Sequence, residues 1–335
     1  MVTASLPALA GTVTQTNLTS DGTIPAAVTD PNLKNPWGIS YAPGGAFWVS
    51  DNNSGLVTLY SGTGAIVPLV VTVPSVNGAG PGSPTGQVFN GTSDFVVNQG
   101  GVTGTAVFLF ATEDGTISGW APKVNGGSAI IAVDQSAQRS VFKGLALYTS
   151  GSRNYLLATD FRLGLVEVFD GKFGLARAFR DPALSLSYAP YNVAVLNGNI
   201  YVTYAEVDAS RHDSLSGIGK GVVEEVSLSG HILARARFGS LDAPWGLAVA
   251  PPGFGSLAGD ILVGNFGNGT VSVFTPGLKP QGRLDGANGK PLSIRGLWSL
   301  IPGNGGGGGS TSDIYFSAGP NHEKDGLFGS LSYNP

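Results

Sequence analysis

Gly55-Leu56-Val57-Thr58-Leu59-Tyr60, Gly164-Leu165-Val166-Glu167-Val168-Phe169 and Gly269-Thr270-Val271-Ser272-Val273-Phe274 are copies of one short pattern, a glycine followed by an alternating apolar run. Alternation with period two is the mark of a strand with one buried face. Glycine ahead of it supplies positive φ or room for a close backbone approach at a hairpin. Gly115, Gly221 and Gly326 open three further runs of the same kind. Six glycine-led hairpins in one chain point to a repeat.

Working outward, each glycine is preceded by a run rich in β-branched and aromatic residues, at 47–51, 107–114, 155–160, 200–206, 261–266 and 314–318. Ahead of these lie shorter apolar starts. Asn35-Pro36-Trp37-Gly38-Ile39 and Ala243-Pro244-Trp245-Gly246-Leu247 match closely, and looser copies begin at Thr85, Lys143, Tyr191 and Arg295. Counted from Trp37 through Thr85, Lys143, Tyr191 and Trp245 to Arg295, successive starts are 48, 58, 48, 54 and 50 residues apart. That is the length of one four-stranded propeller blade. Outer strands are read at 67–73, 128–133, 176–180, 232–238 and 282–285. The sixth unit reaches the last residue after its third strand, while 12–18 is a strand without a partner. The expected fold is therefore all-β: one six-bladed β-propeller with four-stranded antiparallel blades, the N-terminal strand closing the last blade. The blades fall at about 35–74, 84–134, 141–180, 189–238, 243–290 and 294–333 plus 12–18, in a single domain spanning 1–335. The glycine run 305–309 reads as a floppy loop within blade six, and one helical turn is expected near 136–142.

Bulk properties agree. Only 12% of residues are charged, about half the usual share, and there are 52 glycines. The formal net charge is −4 with no basic stripe, which argues against nucleic acid. No apolar run is long enough for a membrane-spanning helix. The absence of cysteine excludes disulfides and thiolate chemistry. Residues 1–7 do not read as a signal peptide. The glycine-rich, lysine-poor composition suggests an exported protein, periplasmic or extracellular, and a monomer is expected.

The order of apolar strand, turn, second strand ending in Asp or Asn, then Gly-x-Val-x-Val-Phe resembles NHL-repeat propellers and the related gluconolactonase-like propellers. The starts at 35–38 and Ser83-Pro84-Thr85-Gly86 resemble an uncharacterised, often exported, microbial family of that class. The resemblance implies a ligand on the face where second-to-third strand turns meet the starts of the first strands. For the gluconolactonase-like group it also implies a divalent cation held by Glu, Asn and Asp. This chain has Trp37-Gly38 where that group places its early Glu.

Polar residues converge on that face. The turns bring Glu113, Asp160, Arg162, Glu206, Asn265 and His322; the strand starts bring Trp37, Gln87, Lys143, Tyr191, Asn192, Trp245 and Arg295. Oxygen-rich rings suit a hard cation, so Glu113, Asp160, Glu206 and Asn265 form the candidate metal set, for Ca2+ or another divalent ion. A turn Asp or Asn more often bonds its own backbone. Glu113 and Glu206 break the pattern by being longer, and departures from local regularity gather at functional sites. His212 sits in the insert 208–220 and His322 in the matching turn of blade six; with Glu206 they are the candidate acid–base groups. Trp37, Gln87, Arg162, Tyr191, Asn192, Trp245 and Arg295 are the candidate ligand contacts. No serine elbow or phosphate loop is present, and no organic cofactor is expected. Three functions stay open: binding of a small molecule, glycan or protein without catalysis, a metal-assisted hydrolase or lactonase, and a cell-wall-associated glycan binder.

Overall fold

The computed structural model describes residues 9, 11–76, 80–237 and 239–335. The segment 1–7, part of 78–82 and the end of the strand expected at 232–238 lie outside the described residues. Six antiparallel sheets stand in a ring around one axis, so the fold is the six-bladed propeller. Blade I comprises Pro36–Ser40, Phe47–Asp51, Leu56–Tyr60 and Ile66–Thr72. Blade II has Pro84–Phe89, Phe108–Thr112, Thr116–Trp120 and Ile130–Asp134. Blade III has Phe142–Ser150, Arg153–Asp160, Leu165–Asp170 and Leu175–Phe179. Blade IV has Tyr188–Leu196, Asn199–Val207, Gly221–Val226 and Ile232–Ala236. Blade V has Pro244–Val249, Ile261–Asn265, Val271–Phe274 and Pro280–Arg283. Blade VI has Leu297–Pro302, Ile314–Ala318, Leu327–Asn334 and Thr12–Ser20, with the short strand Val28–Thr29 pairing in parallel on its outer side.

Closure is as expected: Thr12 to Ser20 run antiparallel to Asn334 to Leu327. The strand at 12–20 and the last strand thus share one sheet, which ties blade VI shut.

Packing explains the sequence pattern. The second strand of blade I, Phe47–Asp51, is buried throughout, whereas its outer strand Ile66–Thr72 alternates exposed and covered positions. Six apolar clusters fill the six gaps between neighbouring blades. Each fully buried Leu, Val or Phe in them contributes about 1.5–3 kcal/mol relative to exposure. A seventh cluster, made mostly of aromatic residues, lies on the axis itself.

Three features depart from expectation. Blade II carries an extra hairpin, Val96–Gln99 with Val102–Thr105, which accounts for its longer spacing. The glycine run of blade VI is an ordered loop. Gly307 N–H donates to Gly44 O (2.9 Å), its O accepts from Gly62 N–H (2.8 Å), and Asn304 Nδ2 donates to Gly45 O (2.8 Å). A Cβ at Gly306 would come within 2.5 Å of Gly44 O, so these glycines permit backbone-to-backbone contact with blade I. Finally, the first strand of blade VI starts later than Arg295 implies. Leu297 pairs with Ala318 as Pro36 pairs with Asp51, so the equivalent of Trp37 is Trp298, three residues on. Among the described residues, no helix is long and apolar enough to cross a membrane.

Candidate functional site

The six innermost strands share a local irregularity. Their register against the second strand shifts near the same point in every blade, between Pro36 and Ile39, Pro84 and Gln87, Phe142 and Leu145, Pro190 and Asn192, Pro244 and Gly246, and Leu297 and Leu300. Such bulges re-aim side chains. The residues at this point are Trp37, Thr85, Lys143, Tyr191, Trp245 and Trp298. Thr85 is tied to backbone, its Oγ1 donating to Phe142 O (2.9 Å). The others form an axial plug with Phe161 and Phe266. Trp298 stacks on Trp37 (3.5 Å between centroids) and on Phe266 (4.0 Å), and meets Trp245 edge-on (5.8 Å, 84°). Trp37, Trp245 and Trp298 are all buried.

Lys143 is the one cation of this ring. Its side chain is 1% exposed, its ammonium is paired with Glu113, and it lies over the Trp37 ring at 4.7 Å. Glu113 is held from its other oxygen by Asn52 Nδ2 (2.9 Å). Burial of an ammonium in an aromatic pocket is tolerated because both a carboxylate and π faces compensate it.

The insert of blade IV folds over this pair. His212 Nδ1 lies 3.0 Å from Asp213 Oδ1 and 4.0 Å from Glu113 Oε1, and Asp213 is 3.8 Å from the Lys143 ammonium. Asp208 caps the insert, its Oδ1 accepting from His212 N–H (2.8 Å). Ser214 Oγ donates to Tyr191 OH (3.0 Å), linking insert to plug. From blade VI comes Glu323, whose Oε2 accepts from Asn35 Nδ2 (2.9 Å). Asn35 Oδ1 in turn accepts from Trp298 Nε1 (3.0 Å). Asn321, His322 and Glu323 have φ of 53°, 57° and 65°. Three consecutive left-handed residues other than glycine cost about 1 kcal/mol or more each, and strain of this kind concentrates at ligand sites.

The charges act on one another. The Asp213 carboxylate raises the His212 pKa above its ordinary value, with Glu113 adding to the effect. The same hydrogen bond holds Asp213 below the usual carboxylate range. Glu323 is pushed up, first by burial and then by the neighbouring Glu113 and Asp213 charges. Burial raises Tyr191 well above the usual phenol.

The sequence-predicted residues divide. Glu113, Lys143, Tyr191 and His212 come together. Trp37 and Trp245 are close by but inside the plug. Gln87 and Asn192 lie below it: Gln87 Nε2 donates to Gly38 O (2.7 Å) and Trp48 O (2.6 Å), and Asn192 Nδ2 to Trp245 O (2.6 Å). Arg295 and His322 line an open cleft of about 790 Å³ at the rim between blades V and VI. Arg162 offers its backbone carbonyl to Arg211 Nε (2.7 Å). The expected metal set is not assembled. Asp160 is buried, accepting from Leu163 N–H (2.9 Å) in its own turn and Val141 N–H (3.3 Å) at the start of the blade. Asn265 is engaged at both amide atoms by Thr270, Ser272 and Asp242 N–H. Glu206 pairs with Lys220 (3.3 Å). Hairpin geometry explains this: a polar residue ending a second strand reaches its own turn before it reaches the axis. Asp213, Glu323 and Trp298 were missed. The adjacent His212-Asp213 and His322-Glu323 pairs were the available signals for two of them.

Glu113, His212 and Asp213 do bring ligand atoms within 4.8 Å of one another. A divalent ion there would meet the Lys143 ammonium, which already neutralises Glu113. Like charge in a pocket of low dielectric opposes it. The set does not fit a resident cation while Lys143 is charged.

No family model matches the chain. Two proteins of Acanthamoeba polyphaga mimivirus, Uncharacterized protein R648 and Uncharacterized protein L690, are each 30% identical to it. Their matches cover 94% of this chain and 78% and 84% of their own lengths. Among solved structures, a streptogramin B lyase aligns with TM-score 0.54 at 11% identity, over 96% of this chain and 97% of its own. The PQQ-bound aldose sugar dehydrogenase of Streptomyces coelicolor aligns with TM-score 0.53 at 15% identity, over 98% and 100%. At such identities the likeness is one of fold.

Proposed function

This chain belongs to the family of the mimivirus proteins R648 and L690, and we propose that it is a ligand-binding propeller whose site is the polar mouth above the aromatic plug. The observation that carries this reading is convergence. A buried ammonium, a His–Asp pair and two further carboxylates arrive from blades II, III, IV and VI at one mouth, and none of them is needed to close a hairpin. Buried and half-buried charges are costly unless they are paired or put to use.

Glu113 and Asp213 face the single Lys143 ammonium, while Glu323 lines the adjoining cleft with Arg295 and Lys324. The favoured ligand is a small molecule rich in donors, bearing an amine or several hydroxyls, rather than an acid. Trp37 is packed under Trp298 and Lys143, so it supplies a floor and not a free stacking face. Isothermal titration against matched amines, sugars and carboxylic acids tests the reading. Amines or sugars should bind, with affinity falling about tenfold or more in Glu113→Gln and Asp213→Asn. Equal binding of acids, or binding indifferent to both substitutions, would defeat it.

The His212–Asp213 pair favours a second reading, proton transfer at the same mouth. Asp213 orients the imidazole through Nδ1 and raises its basicity, leaving Nε2 to meet a ligand. Turnover of a lactone or ester panel that disappears in His212→Gln would establish this reading over simple binding.

A further inference from the structure

Below the plug the channel opens again. The innermost strands enclose a cup of about 430 Å³ that opens on the opposite face. Two residues past the plug position, the six blades contribute Ile39, Gln87, Leu145, Val193, Leu247 and Leu300 to its wall. Five of these are aliphatic, and among the described residues no charged one lines the cup. These five aliphatic residues also belong to the cores between blades, so the cup is an open, mostly apolar end of the channel rather than a void in the packing. Ligand pockets have this volume and this composition: mostly apolar, with a few placed polar groups.

The polar groups are present. Asn197 at the open end and Ser299 in the wall line the cup with hydrogen-bonding side chains. Ser40 Oγ, Gln87 Oε1 and Trp245 Nε1, although their residues line the cup, are closed off from solvent and so from the hollow itself. The plug separates the cup from the mouth, because Trp245 is in its aromatic cluster and lines the cup as well.

We infer that the lower channel is a second binding site, independent of the mouth, for a small uncharged molecule that is largely apolar and carries a hydrogen-bonding group. A charged ligand is excluded by the lack of any counter-charge in the wall. Gln87 and Asn192, the polar members of the innermost strands of blades II and IV, belong to this site.

The test uses N-phenyl-1-naphthylamine, an uncharged fluorescent amine, titrated into the full chain. Saturable binding with one site per chain is expected. Pro302 stands at the open end of the cup, half-buried and outside the clusters between blades, whereas Val195 and Val249 pack against those clusters. Pro302→Trp should weaken the probe about tenfold or more while leaving the thermal midpoint unchanged. Glu113→Gln, which acts on the mouth, should leave probe affinity unchanged. Non-saturable binding, wild-type affinity in Pro302→Trp, or loss of the probe in Glu113→Gln would each overturn the inference. None of these outcomes bears on ligand binding at the mouth.

Discussion

The two ends of the channel are built from the same six strands and differ in what the strands carry there. Above the plug, residues that break the repeat dominate: a lysine where the other blades place aromatic residues or threonine, a Glu in place of a turn Asp, and an insert bearing His212 and Asp213. Below it, the repeat is kept, and aliphatic residues follow one another around the wall with Gln87 as the exception. The lesson is that a repeat fold specialises by local departure. Each departure at the mouth is compensated by another from a different blade, so the charges hold one another in place.

Several experiments would break or sharpen this contrast. The largest effect is expected from Trp298→Ala, which removes a buried side chain touching four aromatic neighbours. Urea denaturation should show a loss of about 4 kcal/mol. A loss below about 1 kcal/mol would mean that the plug does not divide the channel.

Lys143→Met comes next. It leaves Glu113 without its counter-ion, and a loss of about 3 kcal/mol is expected. The same variant should gain a thermal shift with Zn2+, since the imidazole and carboxylates would then lack an internal cation. No gain would mean that the three groups do not converge as described.

Asn35→Ala should cost about 2 kcal/mol. It deletes the bonds to Glu323 and Trp298 at a residue whose φ of 47° suits Asn better than Ala.

The smallest effect is on pH. Because the folded-state pKa of His212 is raised, its contribution to stability is complete below about 6.5 and is lost as pH rises through the folded value. The imidazole is more than a third exposed, so solvent screening keeps the effect well under about 1 kcal/mol. Chemical denaturation at several pH values should show a slope that flattens in His212→Gln. Probe binding in the cup, which has no titrating wall residue, should stay flat over the same range.

Much of this molecule was legible before its structure. The glycine-led hairpins, the blade spacing and the partnerless strand at 12–18 led to the ring and its closure. Glu113 stood out because it broke a pattern and His212 because it sat in a long insert, whereas Glu206, which broke the same pattern as Glu113, pairs with Lys220 instead. Arg295 misled because Gly296 mimics Gly38 in sequence. In the structure Gly296 has φ of 69° and matches Asn35, the residue ahead of the bulge. Asp160 and Asn265 misled for a different reason: a turn carboxylate or amide at the right height still bonds its own hairpin first.

What the chain's residues determined alone was everything local. Alternation makes strands, glycine makes the hairpin, and repetition at a fixed spacing makes blades, because each depends on neighbours within a few positions. Which side chains meet at the axis was decided only by the closed ring. Glu113, Lys143, His212 and Glu323 lie up to 210 residues apart. Their contact depends on how each strand bulges and how the blades pack, which no local pattern encodes.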